Sequence, residues 1–241
     1  MARKIKLDNS VIKRQKRKEA KLNADETSKP ILCRILIVCE GEKTEPNYFN
    51  AFKKLNSRID ITCEGIGQNT LNVVNRAIEL RDNAQTPYDR VWAVFDKDDF
   101  SANNFNAAIQ KAQSNNINVA WSNEAFELWY LYHFQHRVNP MSRDDYAQAI
   151  TAAVNGSEKW SCPQKAYKYK KNDDNNYYIM TKYGNLHKAI QRAENQYNTF
   201  TTSQTTYAQR NPCTTVHLLV KQLINEDQDL ITEVMKKINE N

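Results

Sequence analysis

The sequence predicts an α/β protein, an open and mostly parallel sheet flanked by helices, with a helical C-terminal extension. Three observations carry that prediction. Ile35–Val38 and Val91–Phe95 are apolar runs too short for helices and rich in β-branched residues, so they read as buried strands. Each run ends in carboxylates, in RILIVCEGEKTE (Arg34 to Glu45) and RVWAVFDKDDF (Arg90 to Phe100), and helical periodicity follows each. Strand and helix then alternate as far as Trp121, which implies parallel pairing with right-handed crossovers.

Pro30 closes a basic leader, and the first strand runs from about Ile31 to Val38. Glu45-Pro46 opens a helix, since proline suits the first turn, with Tyr48, Phe52 and Leu55 as its inward stripe. Ile59 to Cys63 is the second strand, ending near Gly65 and Gly67. A helix follows from about Asn69, capped by Asn69 or Thr70, with Leu71, Val74 and Ile78 inward, until Asn83 to Pro87 breaks it. The third strand ends at Phe95, Ser101 caps a helix carrying Phe105, Ala108, Ile109 and Ala112, and Ile117 to Trp121 is the fourth strand.

Asn123 begins an aromatic helix with Phe126, Trp129, Tyr130 and Phe134. Ser142-Arg-Asp-Asp145 has the form of a capping box with aspartate in place of glutamate, and its helix stops near Gly156. Residues 157–178 are polar, lysine- and tyrosine-rich and aperiodic, so they read as a loop or lid. Asn185 to Tyr197 is a helix with Leu186, Ala189, Ile190 and Ala193 inward, and 198–212 is a second loop. Thr214 or Thr215 caps a helix with Val216, Leu219, Val220 and Leu223, and a last helix ends the chain. No internal repeats occur. The expected division is a basic, flexible tail (1–29), a catalytic core (30–136), and a mainly helical extension (137–241) that completes the site and offers a partner surface.

Composition narrows the class. The five cysteines show no CxxC pairing and no Cys/His metal spacing, which points to a reduced intracellular setting and away from a zinc site. No apolar stretch reaches membrane-spanning length, and no signal-peptide apolar region follows the basic N-terminus. The expectation is a soluble, cytoplasmic protein with no membrane partner. Residues 1–29 hold ten Lys/Arg against four Asp/Glu, which accounts for the whole formal net charge of +6. The cluster Lys13, Arg14, Lys16, Arg17 and Lys18 can neutralise phosphates and steer nucleic acid, or it can serve as a solvated leader.

The chemistry gathers at the strand ends. Glu40 stands at the tip of the first strand, followed by Gly41, whose missing side chain lets a ligand approach the backbone. Asp96 and Asp98 are two apart, so in an extended segment both point the same way. In an open parallel sheet these positions fall at the carboxyl edge, where such folds bind ligands. Carboxylates gathered there repel one another unless cations lie between them, so hard divalent metals, one or two Mg2+ ions with Mn2+ as a substitute, suit the edge. Glu45 can add a ligand or merely favour a helix N-terminus. GEKT (Gly41 to Thr44) lacks the upstream glycine and Gly-Lys adjacency of a P-loop. In DKDDF, Phe100 stands where a phosphatase motif needs Thr or Val.

EG after the first strand and DxD after a later one resemble a Toprim domain, the catalytic module shared by topoisomerases, primases and OLD-family nucleases. More closely, ILIVCEGEKTEPNYF, VFDKDDF, SNEAFELWYLYHF and NPCTTVHLLV, spread over residues 31–223, resemble the RloB family. The resemblance implies a Toprim-type, metal-dependent nuclease in an antiphage defence locus, working with an AAA-type ATPase (RloA-like). By analogy its substrate is RNA, tRNA in particular. It matches Glu40 to the Toprim glutamate, Asp96 and Asp98 to the DxD pair, Glu45 to the second acid of an EGxxxE pattern, and Glu127 to a later metal ligand. Glu124 departs from the usual small residue or proline. OLD-type nucleases also use a late lysine to stabilise charge; Lys171 matches best, with Lys168 and Lys170 as rivals on a loop suited to phosphate contact and base stacking. Glu127 can instead face solvent, the loop can be an ordinary solvated one, and His133 is expected to pack rather than ligate. No topoisomerase tyrosine, gate domain or zinc-binding primase module is evident.

The expected function is therefore a Mg2+-dependent endonuclease cleaving phosphodiester bonds, an RNA or tRNA effector of abortive infection. The alternatives are a non-catalytic module that binds nucleic acid or its ATPase around a structural metal, and an OLD-type DNA nuclease. A homo-oligomer is compatible with each.

Overall fold

The computed structural model describes residues 13–14, 17, 33–55, 58–160, 166–201 and 205–239. In the basic tail, Lys13, Arg14 and Arg17 are helical and exposed, while Lys16 and Lys18 lie outside the described residues. The chain then runs β1 (Cys33–Cys39), α1 (Thr44–Asn50) with a 3-10 turn (Ala51–Lys54), β2 (Ile59–Gly65), α2 (Thr70–Asp82), β3 (Arg90–Asp96), α3 (Ala102–Ser114) and β4 (Asn118–Asn123). It continues through α4 (Glu127–Tyr132), α5 (Arg143–Asn155), α6 (Asn176–Tyr183), α7 (Leu186–Thr201), a 3-10 turn (Tyr207–Gln209), β5 (Cys213–Thr214), α8 (Val216–Leu223) and α9 (Gln228–Asn239).

The five strands form one sheet in the order β2-β1-β3-β4-β5, parallel except for β5. The chain leaves β1 toward β2 and then returns to β1's other side as β3, so the topology reverses between β1 and β3. That reversal opens a crevice at the carboxyl ends of the two strands, the place where open α/β sheets take ligands. β1 and β3 are central strands, buried on both faces, which is why they are continuous apolar runs rather than alternating ones. Residues of β1 divide between two cores: Ile35 and Ile37 join Tyr48, Phe126 and Trp129 on one face, and Leu36 and Val38 join Val74, Phe105 and Trp121 on the other.

Several local expectations are met. Asn69 caps α2 by accepting from the Asn72 amide at 3.1 Å, and Ser101 caps α3 by accepting from Asn104 at 3.2 Å. Phe105, Ala108, Ile109 and Ala112 are all buried.

Others need correction. Leu71, expected inward, is 42% exposed; the buried face of α2 is Thr70, Val73, Val74 and Ala77, one position round from the expected stripe. Asn123 ends β4 instead of opening a helix, because it pairs with Cys213 of β5, and α4 is short. Ser142 makes no backbone cap; its hydroxyl donates to the Asp145 carboxylate at 2.6 Å. Thr215, not Thr214, precedes α8, and Cys213–Thr214 forms β5, which pairs with the end of β4. The Thr215 hydroxyl accepts from the Trp121 amide at 2.9 Å and donates to the Val119 carbonyl at 3.1 Å, locking α8 to the sheet edge. Residues 198–201 continue α7.

The lysine-tyrosine segment differs most. It alternates, with Tyr167 and Tyr169 buried and Lys168 and Lys170 exposed, and α6 begins within the stretch expected to be loop. Backbone groups of Tyr167 bond the Asn155 side chain, and the Tyr169 amide bonds Thr151, so the segment is strapped along α5. Among the described residues no helix is long and apolar enough to cross a membrane.

Candidate functional site

Glu40 is the first residue beyond β1, and its backbone is pinned on both sides. Its amide donates to the Val94 carbonyl of β3 at 2.9 Å, and its carbonyl accepts from Gly67 beyond β2 at 2.8 Å. The Glu40 carboxylate accepts from the Asp96 amide through Oε2 at 3.1 Å, which ties the two strand ends together across the switch point. Asp96 closes β3 and is buried; its Oδ2 accepts from the Phe126 amide at 2.9 Å, just ahead of α4. A carboxylate there satisfies an orphan amide at a helix start.

Glu45 lies in the first turn of α1 and is buried. It folds back over Gly41, where an added Cβ would stand 2.2 Å from Glu45 Oε2. Glu127, in the first turn of α4, is also buried, so the solvent-facing alternative does not hold. It accepts from the Tyr169 hydroxyl at 3.1 Å, and Lys171 Nζ stands 4.0 Å from the same oxygen.

Asp98 reaches the site by a different route from the extended one expected. It has φ +40°, a left-handed conformation uncommon outside glycine. Its amide donates to the Glu124 carbonyl at 3.0 Å, and its Oδ2 accepts from Arg143 Nη1 at the first position of α5. The turn, not strand alternation, turns Asp98 to the same pocket as Asp96. That pocket has a volume of about 310 Å³ and is lined by Glu40, Gly41, Glu42, Lys43, Thr44, Glu45, Asp96, Asp98, Arg143, Lys171 and Asn172.

Burial and mutual repulsion set the electrostatics. Burial, with Glu45 nearby, raises the Glu40 pKa to about 7 against the pull of the Asp96 amide, Arg143 and Lys171. Burial first, then the neighbouring carboxylates, raises Glu45 and raises Asp96 further. Three buried carboxylate oxygens, Glu45 Oε2, Asp96 Oδ1 and Glu127 Oε2, have no hydrogen-bond partner. Unpartnered acceptors at such depth are costly unless a donor or cation reaches them. Among the described residues, no three His, Cys, Asp or Glu side chains stand close enough to cage a metal as placed.

Of the residues singled out in the sequence, Glu40, Glu45, Asp96, Asp98, Glu127 and Lys171 come together here. Lys168 and Lys170 are exposed and lie outside the pocket lining. Tyr167 and Tyr169 are only 5% and 6% exposed, which removes them as stacking platforms for bases. His133 packs as expected, buried with Nε2 3.5 Å from the Tyr48 hydroxyl. Arg143 and Asn172 were not anticipated. Asn172 accepts from the Thr44 hydroxyl at 3.0 Å and Asp174 accepts from Asn47 at 3.0 Å, so the loop bearing Lys171 is fastened to α1. A signal for Arg143 was present: an arginine at the first helical position opposes the helix dipole.

Fold and site define an open α/β protein whose switch-point crevice holds a cluster of carboxylates and is lined also by three cationic residues, Lys43, Arg143 and Lys171. The family model for RloB-like protein matches residues 35–223, most of the chain, and the chain belongs to that family. No curated protein and no solved structure matches it.

Proposed function

We propose that this chain is a Mg2+-dependent, Toprim-type phosphodiesterase that cleaves nucleic acid, an RNA endonuclease with tRNA as its expected substrate. The observation that carries the reading is the convergence of Glu40, Glu45, Asp96 and Asp98 on one pocket that also holds Lys171, with Glu127 4.0 Å from that lysine; Glu45, Asp96 and Glu127 each keep an unpartnered buried oxygen. Those oxygens fit a hard cation. Mg2+ keeps several waters and needs only one or two carboxylates, so the lack of a ready-made cage does not conflict with it. Asp96 and Asp98 would hold one cation, Glu45 and Glu127 would complete a second site, and Mn2+ could replace Mg2+. The chemistry such a cation would supply when held there is polarisation of the phosphoryl oxygen and stabilisation of developing charge.

The chain's own groups do the rest. Glu40 Oε2 is held by the Asp96 amide, which leaves Oε1 to take the proton of an attacking water. Lys171 Nζ, 4.0 Å from Glu127 Oε1, places a compact positive charge where the scissile phosphate would gain negative charge. The bonds from Thr44 to Asn172 and from Asn47 to Asp174 hold the Lys171 loop against α1 and so fix where that charge stands. By resemblance to its family the protein acts in antiphage defence beside an AAA-type ATPase that restrains or triggers it.

Sequencing RNA ends after expression, with and without the neighbouring ATPase gene, tests the reading. New ends at defined tRNA positions that vanish in Glu40→Gln are expected; identical end profiles would sink it. One observation favours a second reading, the non-catalytic binding module: Asp98 is already neutralised by Arg143. A divalent cation that raises the melting temperature while RNA stays intact under every trigger would select that module.

A further inference from the structure

Arg143 is unusually placed for a surface arginine. It occupies the first position of α5, immediately before Asp144 and Asp145, where the helix dipole disfavours a cation and favours the acids. Helix stability therefore does not explain it. Its guanidinium instead crosses to Asp98, whose left-handed backbone is itself costly for a non-glycine residue. Both side chains are partly open to solvent, 37% for Arg143 and 25% for Asp98, and both line the acidic pocket. Arg143's charge also reaches Glu40 and Glu45.

Resting on the phosphodiesterase reading, we propose that Arg143 is the phosphate-binding residue of this site and that Asp98 holds it in reserve. With no divalent cation, the Arg143–Asp98 pair neutralises a partly exposed acid of the pocket. When Asp98 turns to a divalent cation, the guanidinium loses its carboxylate and presents its planar fork to a phosphodiester oxygen pair, the anion geometry it matches best. One carboxylate thus couples cation binding to substrate binding, and the coupling is reciprocal. Lys171 stands 4.0 Å from the buried Glu127, a looser contact than the one that holds Arg143 to Asp98, and its compact ammonium offers no planar fork.

The test is a binding cycle with a fluorescent single-stranded oligoribonucleotide, measured with EDTA and with Ca2+, for the wild type, Arg143→Ala, Arg143→Lys and Asp98→Asn. In EDTA the wild type and Arg143→Ala should bind alike. In Ca2+ the wild type should tighten by roughly 10- to 100-fold, the worth of hydrogen bonds to a charged group, and its salt slope should steepen by about one. Arg143→Ala should gain neither, and Arg143→Lys should gain part. Asp98→Asn, with Arg143 already free, should bind RNA tightly in EDTA. Melting temperatures in each condition show that every variant is folded and report cation binding directly. Arg143→Ala should keep its Ca2+-induced stabilisation, since it removes a competitor of the cation.

Equal loss of RNA affinity by Arg143→Ala in EDTA and in Ca2+ would overturn the exchange. Loss of Ca2+-induced stabilisation in Arg143→Ala, to the degree seen in Asp98→Asn, would make Arg143 a support for Asp98 instead. Failure of the phosphodiesterase reading looks different: RNA then stays intact in Mg2+ under every trigger, while tight EDTA binding by Asp98→Asn still reports whether freed Arg143 takes phosphate.

Discussion

At Gly41 an added Cβ would stand 2.2 Å from Glu45 Oε2 and 3.0 Å from its carboxyl carbon, so any larger residue must push the Glu45 carboxylate away. Gly41→Ala is expected to fold normally yet lose most of its Mg2+-induced thermal stabilisation, a shift read by thermal melts with and without the cation. Glu40→Gln removes a charge at nearly constant volume, and the pKa of Glu40 is raised to about 7 by burial. The substitution should abolish cleavage while raising the melting temperature at pH 8, where the native carboxylate is held ionised against its environment. A cleavage rate equal to the parent's would remove Glu40 from the mechanism. For Lys171→Ala, turnover should fall by roughly 10²–10³, the usual effect of losing one electrostatic stabiliser. Lys168→Ala and Lys170→Ala on the exposed side of the same strap should retain activity in the same assay. Full activity in Lys171→Ala beside a dead Lys168→Ala or Lys170→Ala would move the role to that lysine, and full activity in all three would exclude this loop.

Among the elements, β5 and α8 carry a testable load. Thr215 satisfies the buried Trp121 amide and bonds the Val119 carbonyl, so Thr215→Val should destabilise by about 1–3 kcal/mol in a denaturant titration, the cost of leaving a buried donor unpaired. α8 also buries His217, and His133 is buried just after α4. Burial lowers their pKa values to about 4 and about 3. Both are depressed bases: the unfolded chain takes up protons as pH falls through about 6.5, while the native protein does not. Their effect is absent above that pH and removes stability below it, by up to about 1.4 kcal/mol per pH unit for each. Glu40, Glu45 and Asp96 are raised acids and act in the opposite sense, so the wild-type decline should be shallow. His217→Gln should flatten it further, and Glu40→Gln should steepen it; the reverse order in pH-dependent melts would contradict these burials. Central strands were legible because burial on both faces writes an unbroken apolar run such as Ile35–Val38. β5 was not, because two residues, Cys213 and Thr214, hold no period. The strap at 166–170 was legible in principle, since Tyr and Lys alternate at the strand period of two, but a polar composition masked it.

For the whole molecule, Glu40 and Asp96 were readable because they sit at strand ends, and topology alone carries strand ends to one edge; Glu127, in the first turn of α4, was reached only through the family resemblance. Arg143 and the loop anchors Thr44–Asn172 and Asn47–Asp174 were not, since their partners lie tens of residues away and only tertiary packing brings them together. The excess positive charge lies in residues 1–29, ahead of β1 and outside the lining of the acidic pocket. Deleting residues 2–29 should therefore weaken nucleic-acid binding and flatten its dependence on salt without changing Mg2+-induced stabilisation; equal slopes of log affinity against log salt would make the tail a bystander. The central claim, that carboxylates at the β1/β3 switch point cut a phosphodiester bond, meets its most direct test in a single-turnover cleavage assay. Purified wild type and Glu40→Gln, matched for folding, are incubated with end-labelled tRNA in Mg2+ or EDTA, with the AAA-type ATPase present. Discrete fragments from the wild type in Mg2+ alone, and none from Glu40→Gln, are the expected result. Fragments that persist in EDTA or in Glu40→Gln, or intact tRNA in every lane, would contradict it.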